Sequence, residues 1–136
     1  MSGPSEEVAR FVVQIDRDDV ARFAAAVGYR DASGSLLPPT YPIRLLAVSP
    51  AADYLRAVAA AENGAPVHVS QSFDYVRRPR LDEALEVRML FGFEGDGPRR
   101  QAVLVLELHD AEGRDVGRAE SRFVFARALR QIPDHP

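Results

Sequence analysis

Histidine and carboxylate side chains are the groups in this sequence that can exchange protons or orient a water molecule. The 136 residues include three histidines and 20 aspartates and glutamates, no cysteine, and 17 basic residues that are all arginine. Thiolate nucleophiles, disulfides, cysteine-ligated metals and lysine Schiff bases are therefore excluded. Because an imidazole exchanges protons near neutral pH and a carboxylate can activate water, general acid–base chemistry is what these residues offer.

His68 is the histidine closest to a recognisable motif. We consider it either as a displaced catalytic base or as a strand residue, hydrogen-bonded or solvated, on the face opposite Val67 and Val69. Asp74 shares the face of His68, but an extended strand at about 3.3 Å per residue would place it roughly 20 Å away. The two side chains therefore cannot form a dyad within one strand. Neither the histidines nor the dispersed carboxylates have a metal-ligand spacing, so we predict no metal site.

Asp31 and Tyr41 are further catalytic candidates. Asp31 either supplies a carboxylate to a site shared with another subunit or is a turn residue beside Ser33 and Gly34. Tyr41 either places its phenol in a pocket or packs as a core aromatic, and the same alternatives hold for Tyr75. Both tyrosines are kept as candidates for the lining of a substrate pocket.

Gln71 and Phe73 share a strand face with Tyr75 and with Val67 and Val69 in the period-two pattern. Since Gln71 points with the apolar set, it needs a hydrogen-bond partner. It lies either beside a substrate tunnel or against the helix backbone, to which it would then be bonded. Gln71, Phe73, Tyr75 and Tyr41 are our candidates for the tunnel lining.

A basic cluster follows this strand and consists of Arg77, Arg78 and Arg80. Guanidinium groups bind phosphates through paired hydrogen bonds, so the cluster is a candidate site for coenzyme A or an acidic carrier protein. The alternative is a solvated strand end balanced by nearby carboxylates, which are Asp82, Glu83 and Glu86.

The elements that must position these groups are indicated by hydrophobic periodicity. A strand over 11–15 precedes a helix over 20–27, with Asp16 or Asp18 as its N-cap and Gly28 at its end. A turn-rich loop over 29–40 leads to an apolar, buried helix interrupted at Pro50, with Thr40 and Ser49 as caps. Four antiparallel strands follow, over about 67–75, 85–93, 101–109 and 116–126. This order predicts an α+β fold in which a curled antiparallel sheet of about five strands wraps around a long buried helix.

Length and charge place limits on the whole chain. A chain of 15.0 kDa is one domain, predicted over 8–130 with flexible tails at 1–7 and 131–136. A net charge of −3 provides no basic field to attract nucleic acid or an anionic membrane. Neither a leader nor a membrane span is visible in the sequence, so we expect a cytoplasmic protein.

Three motifs resemble the MaoC-like dehydratases, specifically their N-terminal dehydratase half, which has the hot-dog fold. They are Phe-Ala-Ala-Ala-Val-Gly at 23–28, Pro-Pro-Thr-Tyr-Pro at 38–42 and Val-His-Val-Ser-Gln-Ser-Phe-Asp-Tyr-Val-Arg-Arg-Pro at 67–79. The resemblance covers nearly the whole chain. It implies hydration of enoyl thioesters or dehydration of (3R)-hydroxyacyl thioesters carried on coenzyme A or acyl carrier protein, without any cofactor. It also implies an acyl tunnel along the buried helix, where two hot-dog units meet.

The sequence departs from that family at the catalytic loop. Active members carry an Asp and a His about five residues apart between the two helices, whereas residues 28–38 here contain no histidine. The alternative Ala-His-Gly turn before the buried helix is also replaced, by the residues at 39–42. This pattern resembles the non-catalytic half, which pairs with a dyad-bearing half and shapes the tunnel.

Three hypotheses follow for the function. The first is a non-catalytic hot-dog subunit that pairs with a catalytic MaoC-like partner in a dehydratase or hydratase. The second is a self-sufficient homodimeric enzyme on a polyketide or fatty acyl thioester, in which His68, Asp31 or a tyrosine supplies the acid–base group. The third is a module that binds an acyl or polyketide ligand without turning it over. All three require association, because a sheet edge must be covered.

Overall fold

The computed structural model describes residues 4, 6–30, 37–48 and 50–126. In these ranges the elements are β1 (Glu7–Gln14), α1 (Arg17–Val27), α2 (Ala51–Glu62), β2 (Ala65–Tyr75), β3 (Ala84–Glu94), β4 (Gln101–His109) and β5 (Asp115–Ala126). Short 3₁₀ segments at Tyr41–Ala47 and Gly97–Arg99 precede α2 and β4. The catalytic candidate Asp31, the expected cap Ser49 and the C-terminal tail at 131–136 lie outside the described residues.

The first helix ends where the sequence predicts, and it begins at Arg17, three residues before the predicted start and directly after one of the two predicted caps. Asp16 is the N-cap, and its carboxylate accepts a hydrogen bond of 2.8 Å from the backbone amide of Asp19. Gly28 closes the helix in the left-handed conformation, with φ at 74°, which a side chain would disfavour. Both caps satisfy backbone groups that have no partner within the helix.

The apolar segment after the loop forms two helical pieces, as the proline at position 50 predicts. The 3₁₀ segment ends at Ala47, and α2 starts at Ala51. Thr40 makes no capping hydrogen bond through its side chain, so that predicted cap is wrong. The helix is also less buried than its apolar sequence predicts, because Ala51 is its one buried residue. Its other apolar side chains are half-buried or exposed.

The five strands form one antiparallel sheet in the order β1-β3-β4-β5-β2. One face, called here the inner face, packs with α2 and the 3₁₀ segment in the main hydrophobic core. The ring of Tyr54 in α2 meets Phe91 of β3 edge-on at 5.1 Å. Because β1 and β2 are the two edges of the sheet, β2 has a hydrogen-bonded neighbour on one side only.

A β-bulge in β2 changes which side chains share a face. The register with β5 shifts between His68 and Ser70, which leaves Val69 as the extra residue. Before the bulge His68 lies opposite Phe123 on the inner face, and beyond it Gln71 lies opposite Ser121, also on the inner face. The expectation that Val67 shares a face with Gln71 is therefore wrong, because His68 shares that face instead, although His68 does lie on the face opposite Val67.

Asp74 is affected by the same bulge. It lies opposite Arg118, and the next residue, Ala119, belongs to the inner-face core, so by alternation Arg118 and Asp74 face outward. His68 and Asp74 are thus on opposite faces of the sheet rather than on one face. The conclusion that they form no dyad holds for this additional reason.

Candidate functional site

The inner face of the sheet is partly uncovered along its β2 edge. His68 is exposed there, and Gln71 and Phe73 are half-buried. Ser121 and Phe123 of β5 form the adjoining floor, with 2% and 6% of their surfaces exposed. We call this region the edge cleft and define it by these five residues. Its accessible side chains are those of β2, whereas the two from β5 are buried.

Gln71 and Ser121 form a polar pair within the edge cleft. The Ser121 hydroxyl donates to the side-chain carbonyl of Gln71, and the Gln71 amide nitrogen donates at 3.3 Å to the backbone carbonyl of Ser72. Gln71 therefore finds its partner on the neighbouring strand rather than on the helix backbone. Ser121 was missed by the sequence analysis, although its alternation with Ala119 and Phe123 could have revealed a serine on an apolar face.

His68 lies beside this pair, and its ring stacks on that of Phe123. The ring centroids are 4.8 Å apart, with an angle of 24° between the planes. Within the described part of the chain no carboxylate comes within ion-pair distance of His68. The imidazole is thus placed toward the cleft without a partner that would orient it as a base.

Tyr75 and Arg78 hold the segment that precedes the 3₁₀ helix. The Tyr75 hydroxyl donates to the Pro39 carbonyl, and burial raises the pKa of Tyr75 to about 12. Arg78 Nη1 donates to the Leu37 carbonyl at 3.0 Å and to the Tyr29 hydroxyl at 3.4 Å. These neutral acceptors leave the charge of Arg78 without a carboxylate partner among the residues that the structure describes.

Tyr41 is turned away from the edge cleft and into the core. It is 4% exposed and meets Phe23 edge-on at 5.5 Å. Its hydroxyl donates to the Asp19 carboxylate at 2.5 Å, and Arg44 donates to the same carboxylate at 3.0 Å. Burial and the bond to Asp19 raise the pKa of Tyr41, which keeps the phenol protonated.

The basic cluster is divided among different partners. Arg77 forms paired hydrogen bonds with the Glu83 carboxylate, at 3.0 and 2.5 Å, and lies 3.6 Å from Asp110. The bond from Arg77 lowers the pKa of Glu83. Arg80 contributes its backbone amide to Glu83, at 2.9 Å, while its exposed side chain has no carboxylate partner in the described ranges. Arg77 and Arg80 line one open cleft of about 560 Å³, and the structure does not bring the three arginines together on one anion site.

Acid–base pairs and metal-ligand sets are both missing from the described regions. Neither His68 nor His109 forms a hydrogen bond or ion pair with a carboxylate there, and no three acidic or imidazole side chains converge as metal ligands. No helix in these regions is long and apolar enough to cross a membrane.

Solved structures with the same architecture include two from Mycobacterium tuberculosis. HtdX has a TM-score of 0.67 and 18% identity over 95% of this chain, which spans 53% of the HtdX chain. The C-terminally truncated HadBC complex, a 3R-hydroxyacyl-ACP dehydratase, gives 0.62 and 17%, covering 85% of this chain and 92% of that one. A hot-dog-like protein of Thermanaerovibrio acidaminovorans gives 0.65 and 11%, covering 96% and 94%. The chain has the hot-dog fold.

The predicted α+β class, with a five-stranded antiparallel sheet packed around a helix, is thereby confirmed. No protein-family model matches the sequence, and no curated protein matches it. At these identities the likeness to solved structures establishes the fold and leaves the reaction to be argued from the site.

Proposed function

We propose that this protein is a hot-dog subunit of a (3R)-hydroxyacyl-thioester dehydratase or enoyl-thioester hydratase, and that it is the half without the catalytic pair. The observation that carries the proposal is the edge cleft. It offers an apolar and aromatic floor for an acyl chain, but its one histidine has no carboxylate partner within the described residues. The reaction adds the hydroxyl of water to C3 and a proton to C2 of the enoyl thioester, so an acid–base pair must come from elsewhere.

A second hot-dog unit is the partner that we propose for the β2 edge. Val67 and Val69 on that strand are 44% and 45% exposed, and the strand's outer hydrogen-bonding groups are unpaired in the described sheet. Covering them would remove an aggregation-prone edge and enclose the cleft. The HadBC neighbour is named as a complex of a dehydratase, which supports pairing of this kind.

The residues of the edge cleft would then bind the acyl chain of the substrate and orient it. Phe73 would provide apolar surface for the acyl chain, with the buried ring of Phe123 beneath His68 as support, and enclosure by the partner would exclude bulk water from the reacting carbons. The partner's Asp and His would hold the one water that reacts. This chain would therefore contribute binding and orientation rather than proton transfer.

Arg78 and Arg80 are the residues that we propose for the phosphates of coenzyme A or a carrier protein. Neither guanidinium forms a close ion pair with a carboxylate of the described residues, although the charge of Arg80 acts on Glu83, whereas Glu83 and Asp110 are directly paired with Arg77. A guanidinium that is not held by a carboxylate can form the paired hydrogen bonds that phosphate oxygens accept, and in Arg78 it is Nη1 alone that donates to Leu37 and Tyr29. Arg77 then has a structural role, since it joins the turn that carries Glu83 to the turn that carries Asp110.

One observation favours a second candidate, a homodimeric enzyme that uses His68. The bulge at Val69 turns the imidazole to the inner face, where a substrate in the cleft could reach it. A carboxylate to orient it would have to come from the second copy, or from Asp31 outside the described residues. A module that only binds an acyl ligand is the remaining alternative.

Hydration of crotonyl-CoA, followed as the loss of conjugated thioester absorbance, separates these candidates. The purified chain is assayed alone, as His68→Ala, and after co-purification with a hot-dog subunit of the same genome that carries the Asp–His pair. Turnover that appears only with the partner, and survives His68→Ala, is the expected result. Turnover by the chain alone that His68→Ala abolishes would overturn the proposal in favour of the homodimer. Binding without turnover in either setting would overturn it in favour of the binding module.

A further inference from the structure

A cavity of about 470 Å³ is present at the C-terminal end of α2, where the helix meets the 3₁₀ segment before β4 and the end of β5. Its lining residues are Glu62, Phe93, Gly97, Pro98, Arg100 and Phe125. Phe93 is 37% exposed and is the one exposed phenylalanine among the described residues. An exposed ring in a concave place is surface on which a ligand gains apolar contact.

Arg100 is held over the ring of Phe93 in the wall of this cavity. Its guanidinium carbon lies 3.8 Å from the ring centroid, and its Nη2 donates to the Glu62 carboxylate at 2.7 Å. The ion pair fixes the guanidinium in place, while 39% of the Arg100 side chain stays exposed. Because a guanidinium is planar and weakly hydrated, it has a second face that can stack on another ring.

The cavity lies where the far end of an acyl chain would arrive. The two arginines that we propose for the phosphates follow the C-terminal end of β2, whereas Phe125 lies opposite Pro66, near the start of that strand. Phe73, at the phosphate end, lies opposite Ala119. From Ala119 to Phe125 the inner face of β5 extends roughly 20 Å, at about 3.3 Å per residue. A thioester held by its phosphates at one end therefore directs its acyl group along the edge cleft toward Phe125.

We propose that this cavity binds an aromatic ring at the end of the substrate's acyl chain. The inference rests on the proposed function and gives its substrate class as an aryl-terminated acyl thioester. A ring that stacks on Arg100 offers its electron-rich face to the cation and packs against the phenylalanine side chains of the cavity. A saturated end group of the same size covers the guanidinium and displaces its water without replacing that interaction, so it binds less tightly.

The test compares 6-phenylhexanoyl-CoA with 6-cyclohexylhexanoyl-CoA, whose end groups are similar in size and differ in their π-electrons. Affinities are measured by calorimetry on the protein as purified with its partner. We expect the phenyl ligand to bind about fivefold more tightly, as a partly desolvated cation–π contact predicts. Arg100→Gln removes the cation and Phe93→Leu removes the ring that orients it, so each variant should bring that ratio close to one.

Arg99→Gln is the matched control, because Arg99 is an exposed arginine that does not line the cavity. It should keep the full ratio, and thermal melting checks that every variant is folded. An Arg100→Gln protein that is folded and keeps the preference for phenyl would overturn the inference, because the stack of Arg100 on Phe93 would then serve the fold alone.

The affinities of the unmodified protein separate this inference from the proposed function. Equal binding of the phenyl and cyclohexyl ligands would overturn the inference and leave the proposed function intact. The same holds if neither ligand binds although butanoyl-CoA, which is too short to reach the cavity, does bind. If butanoyl-CoA fails to bind as well, the proposed function is overturned together with the inference.

Discussion

The Tyr41 hydroxyl and the Asp19 carboxylate form a 2.5 Å hydrogen bond that joins the 3₁₀ segment to the first helix. Arg44, one turn along the same segment, donates to the other carboxylate oxygen. These bonds lower the pKa of Asp19, with Arg44 as the main cause and Tyr41 the second. Because the phenol is buried and already committed to Asp19, we expect it to position the segment before α2.

Tyr41→Phe should therefore destabilise the protein by about 1–2 kcal/mol, the usual loss for one partly buried hydrogen bond to a charged group. Tyr54→Phe is the control, since the Tyr54 hydroxyl has no hydrogen bond to any described residue. Urea unfolding followed by circular dichroism would measure both variants. A Tyr41→Phe protein as stable as the unmodified one would show that the bond contributes nothing to folding.

Arg77→Gln should cost about 2–3 kcal/mol of stability, because Glu83 and Asp110 would lose the cation between them. Glu83 is 14% exposed, so solvent compensates it poorly, whereas Asp110 keeps its 3.0 Å bond from Arg114. Arg80→Gln removes an exposed charge from the same turn and should change stability by less than about 0.5 kcal/mol. Equal losses in the two variants would mean that the ion pairs of Arg77 do not anchor the turns.

Stability should decline as the solution is acidified, because native carboxylates in this region have lowered pKa values. Arg77 lowers the pKa of Glu83, and the backbone amide of Arg114 lowers that of Asp110. A lowered native pKa means that the unfolded chain binds more protons, so the stabilisation is present above the unfolded value of about 4 and is lost as the pH falls below it. Melting temperatures between pH 3 and 7 measure this slope.

Glu83→Gln should reduce the fall in melting temperature between pH 7 and pH 3, because it removes the titrating carboxyl group. Arg77→Gln should reduce it too, because the pKa of Glu83 then returns toward its ordinary value. If the melting temperature of both variants falls with pH as much as that of the unmodified protein, other carboxylates cause the fall. Comparison of the two variants separates the contribution of the Arg77–Glu83 ion pair to this pH dependence from the contribution of either charge alone.

The last four strands and the C-terminal end of α1 followed from the sequence because local rules decide them, whereas β1 starts four residues before its predicted position. Alternation predicted the strand that ends at His109, and the N-cap at Asp16 and the glycine at position 28 set the limits of the helix. These features depend on residues that are close to one another in sequence, so the sequence alone predicts them.

The content of the edge cleft did not follow, because it depends on one irregular residue. A strict period of two puts His68 on the face opposite Gln71, and the bulge at Val69 reverses that arrangement. Residues 67–75 contain neither a glycine nor a proline that would signal a bulge, and Pro66 lies three residues before Val69. The partners of Gln71 and Tyr41 were equally hidden, since Ser121 and Asp19 are distant in sequence and meet only through the fold.

The same edge strand supplies the sharpest test of association. Val69→Lys places a charge in the bulge on the β2 edge, where a second hot-dog unit would have to pack, and charged residues on an edge oppose strand pairing. We expect at least a tenfold weaker association, with the mass from light scattering moving toward the 15.0 kDa of one chain. Val12→Lys makes the same change on the opposite edge strand, at a side chain that is 71% exposed, and should leave the mass unchanged. Dissociation by Val12→Lys, or a full-size assembly with Val69→Lys, would place the interface away from β2 and would remove the partner that the edge cleft needs.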